Sequence, residues 1–246
     1  MSCTLQKPTT LTKQQINEIN KLVGLCNECD KTNYVFDEGE DFKSESDINT
    51  FLLYEDKQLI SVVTLFVPNK SEAELLAFTL PDHRRQGLFR KLLQEVTDEL
   101  KRRRTNSILF VCDKNSKEGL LAISKIKAVY EYSEFLMQYI KSEQNRIKDS
   151  GKVTVLEACE QDKSRLVQIN KNAFHEDEEE AAEIIDEIFK SNRRKLFSIL
   201  YEDHLVGMIG IYTEVNRKYI YGFCVDEQYQ GREIGKQALQ NIVHIC

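Results

Sequence analysis

Apolar residues along this chain recur in two rhythms: short runs that read as strands, and longer stretches spaced by three and four that read as helices. Residues 11–29 (LTKQQINEINKLVGLCNEC) read as a helix with Thr12 as its cap. Strands are predicted near 50–55, 59–67 and 74–80. A helix over about 87–104 places Leu88, Leu92, Leu93, Val96 and Leu100 on one face. A strand at 107–112 (SILFVC), a helix near 116–126 and an extended aromatic segment, VYEYSEFLMQYI, to about 140 complete this half. After the polar stretch KSEQNRIKDSGK the order begins again. Strand VTVLEA starts near 152, followed by helices near 160–172 and 176–190, a hairpin, a strand and a last helix.

The second half repeats the first. Leu53-Tyr54-Glu55-Asp56 recurs as Leu200-Tyr201-Glu202-Asp203, an offset of 147, each inside an apolar hairpin with an acidic tight turn. The next strands are ELLAFTL (74–80) and YIYGFCV (219–225), followed by LPDHRRQGLFRKLLQEV and VDEQYQGREIGKQALQNIV. Setting Arg84 against Gln230 gives an offset of 146. Two blocks in the same order at nearly the same spacing point to duplication of one α/β module. Nothing in the second half corresponds to residues 105–140. The expected domains are therefore a complete one at 1–142 and one at 152–246 that stops after its last helix.

Composition narrows the function classes. Charged residues make up 30% of the 246 and apolar ones 41%, enough for a packed core. The formal net charge of −6 gives no electrostatic footprint for nucleic acid or an anionic membrane. No apolar run is long enough to span a bilayer and the start lacks an apolar leader, so a cytoplasmic protein is expected. Seven scattered cysteines imply reduced thiols. Cys26 and Cys29 form a C-x-x-C, but no second pair or adjacent His completes a metal site, which leaves two helix-borne thiols.

The repeated strand–loop–helix junctions carry the candidate chemistry. A helix's first turn has unpaired N–H groups that attract phosphate oxygens, and a glycine there permits close approach of the backbone. The first junction is Arg84-Arg85-Gln86-Gly87-Leu88-Phe89-Arg90 and the second Gln230-Gly231-Arg232-Glu233-Ile234-Gly235-Lys236. Bare junction glycines without a ligand are the structural alternative. With the surrounding order of elements, these junctions resemble the Q/R-x-x-G-x-G/A pyrophosphate loop of the GNAT N-acetyltransferases. Arg84 and Gly87 are in register, with Phe89 where a second small residue is usual. Gln230 and Gly235 are in register, with Glu233 in place of the first glycine. The whole is similar to a tandem-GNAT protein with a mixed α/β sheet in each module.

The resemblance implies acetyl-CoA as cofactor and direct transfer of an acyl group to a primary amine of a small molecule or protein, without nucleic acid or membrane partners. It also implies that the strand before the loop binds pantetheine and polarises the thioester. By position these residues are Ala77, Phe78 and Thr79 in the first copy, and Phe223, Cys224 and Val225 in the second. Cys224 reads as a small buried strand residue rather than a nucleophile. Glu74, with Glu72 behind it, is the candidate base, although the family position falls nearer Ala73. The family's acid, a Tyr in a stretch that would open at Asn115, meets Ala122 or Ile123 here. Tyr130 is the candidate acid, with Tyr132 or water as substitutes. The acidic run His175–Glu180 reads as a helix N-terminus. An incomplete second copy leaves pairing as a homodimer open. The competing classes are a non-transferring acyl-CoA-binding module and a nucleotide binder; no G-x-x-x-x-G-K-[ST] supports the latter.

Overall fold

In the computed structural model, residues 3–36, 47–67, 72–139, 151–214 and 217–245 are described. The chain divides into two units, Met1–Phe135 and Leu136–Cys246. Most of the polar stretch expected to separate the domains, 141–150, lies outside the described residues.

Unit one runs β1 (Cys3–Gln6), α1 (Lys13–Asp30), β2 (Thr50–Glu55), β3 (Gln58–Phe66), β4 (Glu72–Thr79), α2 (Leu88–Arg103), β5 (Ser107–Phe110) and α3 (Lys117–Lys125). Its sheet has the order β1-β2-β3-β4-β5, antiparallel except for the parallel β4–β5 pair. Unit two runs β6 (Val153–Glu157), α4 (Lys163–Phe174), α5 (Glu178–Lys190), β7 (Arg194–Tyr201), β8 (His204–Thr213), β9 (Lys218–Val225) and α6 (Ile234–Ile245). Its sheet, β6-β7-β8-β9, is antiparallel throughout.

Local chemistry sets the element ends. Thr12 caps α1: its hydroxyl accepts from the Gln15 N–H at 3.2 Å, and the Gln15 side chain accepts from the Thr12 N–H at 2.9 Å. The expected face of α2 is the buried one, with Leu92 and Val96 fully buried and Leu88 and Leu93 packed at its margin. β3 is buried on both faces, because α1 and α2 join one core with it. In unit two Phe197 and Ile199 meet α6, while Leu196 and Met208 meet α4 and α5. Two features were not legible in the sequence. β1 was not foreseen, since four residues flanked by polar ones carry little periodicity. The aromatic segment after α3 forms no sheet pairing among the described residues, and Val129, Tyr130 and Phe135 stand exposed.

The repeat holds at one spacing. The hairpins turn through Asp56-Lys57 and Glu202-Asp203, all with positive φ, as a two-residue primed turn requires. A bulge follows Leu53 in β2 and Ile199 in β7, and α2 and α6 open at Leu88 and Ile234. Each of these equivalences is 146 residues apart. The identical four-residue string, at 147, is therefore one step out of register with the fold. Tyr54 donates to Glu18 at 2.7 Å, but its structural counterpart is Leu200 and not Tyr201.

The end of α2 is fixed by a buried carboxylate. Glu99 is 7% exposed and accepts from Arg102 at 2.7 Å, Arg103 at 2.8 Å and the Ile48 N–H at 3.2 Å. Burial alone would raise its pKa; the arginine and backbone donors outweigh that and hold it at about 2. Its contribution is thus present above the ordinary carboxylate range and is lost as pH falls towards 2. Replacement Glu99→Gln is expected to cost roughly 1–3 kcal/mol at neutral pH. Urea melts at pH 7 and pH 3 check this, the deficit of the variant shrinking at the lower pH.

Candidate functional site

In unit one the parallel partners part company. β4 pairs with β5 from Glu72↔Ser107 to Leu75↔Phe110, and the Leu75 carbonyl takes one last bond from the Val111 N–H at 3.0 Å. Past that point β4 continues to Thr79 with only β3 beside it. Alternation along an extended strand directs the backbone groups of Ala77 and the Thr79 N–H to the same side as the Leu75 carbonyl, into the gap. A cleft of about 690 Å³ fills this gap, with β4 as its floor and the first turn of α2 and α3 as walls.

The junction after β4 is a single tight turn, Pro81–His83, and a loop in which Arg85 (φ 64°) and Gly87 (φ 81°) are left-handed. Gly87 caps α2 and no side chain supplements it, so the first N–H groups of the helix remain available to an anion. Arg84 is only 17% exposed and is committed to the fold. It donates to the Thr79 carbonyl at 3.0 Å and to both Asp30 oxygens at 2.7 and 2.9 Å. Burial disfavours its charge, but Asp30 and Cys26 more than restore it. Gln230 makes the equivalent bond to the Val225 carbonyl at 2.9 Å. The side chain at this loop position therefore ties the loop back to its strand in both units.

The other expected residues distribute as follows. Leu88, Phe89 and Arg90 line the cleft, as does Arg85, which is exposed and pairs with Glu118 at the start of α3. Gln86 donates to the Asp82 carbonyl at 3.3 Å and is exposed. Asn115 stands in the exposed turn before α3, its N–H on Asp113 at 2.7 Å, outside the cleft lining; Cys112 and Ser116 line it instead. Phe78 packs edge-on against Tyr34 at 5.3 Å, a wall residue that no sequence motif marked. Of the C-x-x-C, Cys26 is buried with its thiol on the Thr79 carbonyl, and Cys29 is exposed. No metal-binding group occurs among the described residues.

Glu74 lies on the β4 face that carries Leu76 and Phe78, one step from the cleft lining. Burial first, then the charges of Glu134 and Glu72, push its carboxyl up from the usual range. Tyr132 shares this surrounding, its hydroxyl raised by burial and then by Glu134, Glu74 and Glu72. Tyr130 is 75% exposed and its hydroxyl donates to Ser133 at 3.1 Å. The structure thus brings Tyr132 into the electrostatic neighbourhood of Glu74.

In unit two the junction follows the same path, with Gly231 (φ 74°) and Glu233 (φ 59°) left-handed before α6. A shallow cleft there is lined by Val225, Gln230, Gly231, Glu233, Ile234 and Gly235. Arg232 lies over the Tyr229 ring, and Lys236 lies 3.8 Å from Glu233. β9 carries a bulge where Gly222 and Phe223 together face Ile209, and it is the edge strand among the described residues. Burial pushes the Cys224 thiol up to about 11, against a nucleophilic role. Asp177 caps α5 through the Glu180 N–H at 2.8 Å, which accounts for the acidic run as a helix start.

The chain thus forms two α/β units, and the first holds a splayed parallel strand pair and a helix start without a side-chain cap at one cleft. The model of the acetyltransferase (GNAT) family matches residues 16–119 and 163–246, and the chain belongs to that family of N-acetyltransferases. Among solved structures it is similar to a GCN5-related N-acetyltransferase from Sphaerobacter thermophilus, with 14% identity, a TM-score of 0.73, and coverage of 99% of this chain and 82% of that one. It is also similar to a tandem GNAT protein from the clavulanic acid biosynthesis pathway, at 8% identity and TM-score 0.65, covering 99% and 86%. A third, a putative acetyltransferase from Pyrococcus horikoshii, gives 12%, 0.60, 99% and 76%. No curated protein matches at the sequence level.

Left-handed φ at Glu233 carries a steric cost that Gly87 avoids at the equivalent position. Replacement Glu233→Gly is expected to stabilise unit two by about 0.5–1 kcal/mol, and Gly87→Ala to destabilise unit one by about 1 kcal/mol. Thermal melts of the two variants check both signs.

Proposed function

We propose that this enzyme transfers an acyl group, acetyl from acetyl-CoA in the first instance, directly to a primary amine of a small molecule or protein, using the cleft of unit one. One observation carries the reading: β4 leaves β5 and opens a cleft that ends at the first turn of α2, which no side chain caps. The bound cofactor would supply the activated acyl group as a thioester. The backbone groups of Ala77 and the Thr79 N–H would bind the pantetheine amides and polarise the acyl carbonyl. The N–H groups of Leu88, Phe89 and Arg90, with the Arg85 and Arg90 side chains, would meet the phosphates. Arg84 and Asp30 would hold the loop in place.

Glu74 would accept the proton of the attacking ammonium; a C–N bond forms, the C–S bond breaks, and the thiolate takes a proton from Tyr132, Tyr130 or water. Free thiols at the six described cysteines support a cytoplasmic setting. Neither nucleic acid nor a membrane enters this reading, and two copies pairing as a homodimer is compatible with it. A second reading, an acyl-CoA-binding module without transfer, is favoured by the commitment of the Tyr130 hydroxyl to Ser133.

A thiol-release assay with acetyl-CoA against a panel of amines separates the two. Turnover is expected, with Glu74→Gln lowering kcat/KM by roughly a hundredfold. Because the Glu74 carboxyl is raised, the rate is expected to climb with pH above the ordinary carboxylate range, and this limb should vanish in the variant. Calorimetric binding of acetyl-CoA with no turnover on any amine selects the second reading, and no binding at all removes both.

A further inference from the structure

Acyl transfer at the unit-one cleft puts negative charge on a departing sulfur, because the electron pair of the broken C–S bond goes there. Neither Tyr130 nor Tyr132 belongs to the cleft lining. Helix α3 supplies no phenol either, since Ala122 and Ile123 line the cleft where the family pattern has tyrosine. Among the described residues the one tyrosine of the lining is Tyr34, on the chain between α1 and β2. Its backbone is gripped by Asn27 in the last turns of α1. The Asn27 amide donates to the Tyr34 carbonyl at 2.8 Å and accepts from the Tyr34 N–H at 3.1 Å. The ring stands edge-on to Phe78 of β4 at 5.3 Å, and the phenol oxygen lies within hydrogen-bonding reach of the Asp113 backbone beyond β5. The half-buried side chain therefore bridges the gap that β4 and β5 open.

The other hydroxyl and thiol donors of the lining are committed. Thr32 donates to Asn27 at 2.8 Å, and the Thr79 hydroxyl meets that of Ser61 at 2.7 Å. Ser116 turns to Asp30 at 3.4 Å, and Cys112 to the Asp113 carbonyl at 3.6 Å. The Asp113 backbone favours the ionised phenol of Tyr34, so it acts as a donor to the oxygen and leaves the phenolic proton free. Among the described residues no acceptor takes that proton. We infer that Tyr34 donates a hydrogen bond to the sulfur as it departs, and is a further catalytic residue of the unit-one cleft. This role deepens the acyl-CoA reading and rests on it. Burial first, then the charges of Cys112 and Asp113, push the phenol up to about 12. A cysteine thiol ordinarily titrates at about 8.5. The proton therefore stays on Tyr34 while the hydrogen bond stabilises the thiolate, and water supplies the proton that completes the thiol.

The test uses the full chain in complex with CoA, wild type beside Tyr34→Phe, which keeps the ring against Phe78. Ionisation of the bound thiol is followed by the ultraviolet absorbance of its thiolate as pH is raised, with the desulfo-CoA complex as the blank. The acid constant of the bound thiol is expected to be roughly tenfold larger in the wild type than in the variant. Coincident titrations overturn the role. With an amine that is turned over, Tyr34→Phe is expected to lower kcat roughly tenfold while the KM for acetyl-CoA is unchanged. A raised KM at full kcat marks a residue that only lines the wall, and overturns the role as well. If the wild type does not bind CoA, the acyl-CoA reading falls and the role of Tyr34 falls with it. If CoA binds and the titrations coincide, the role of Tyr34 falls alone.

Discussion

The cleft of unit one depends on the bond between Arg84 and Asp30. Three pieces of chain meet there: the last residue of α1, the loop that leads into α2, and Ser116, whose hydroxyl reaches Asp30 at 3.4 Å from the turn before α3. The same guanidinium holds the Thr79 carbonyl, the final acceptor of β4. Both side chains are largely buried, so removing either partner would strand a charge at a cost of about 3–5 kcal/mol. β3 and the Cys26 thiol also hold this end of β4, which β5 has already left, but the guanidinium is the group that joins it to the loop and to α1 at once.

This arrangement explains why a motif can be legible while the role of its residues is not. The spacing of basic residue and glycine marked the junction, and the apolar face of α2 marked the helix behind it. Its register in the pyrophosphate-loop pattern made Arg84 a cofactor contact. Asp30 lies 54 residues away in sequence, and no local pattern announces that it captures the guanidinium. Comparably long separations hid Tyr34 beside Phe78, and Glu134 and Tyr132 beside Glu74. Short elements were lost for the opposite reason: β1 has four residues and exists because β2 offers an edge, a fact of pairing and not of composition.

Duplication was visible in letters, yet the letters misled by one residue. The string shared by the two hairpins is out of step with turns, bulges and helix starts that agree on a different spacing. What the units share is thus better seen in interactions than in identities. Glu55 faces His83 at 3.4 Å in unit one, while the equivalent pair in unit two, Tyr201 and Tyr229, meets edge to face at 6.3 Å. One contact is polar and the other aromatic, but each joins the end of the hairpin strand to the turn before the loop.

The loops carry this argument furthest. Unit one places glycine at the second of two left-handed positions and arginine at the first; unit two does the reverse with glutamate. Neither sequence has the residue best suited to both positions, and each accepts an unfavourable φ at a non-glycine residue. The backbone path is nevertheless the same, down to the bond from Arg84 or Gln230 to the preceding strand. A strained path that survives the exchange of its own glycines is held by its surroundings. What it delivers in both units is the direction in which the first N–H groups of α2 and α6 point. In unit one that direction, more than any single side chain of the loop, leaves the end of the cleft open to an anion.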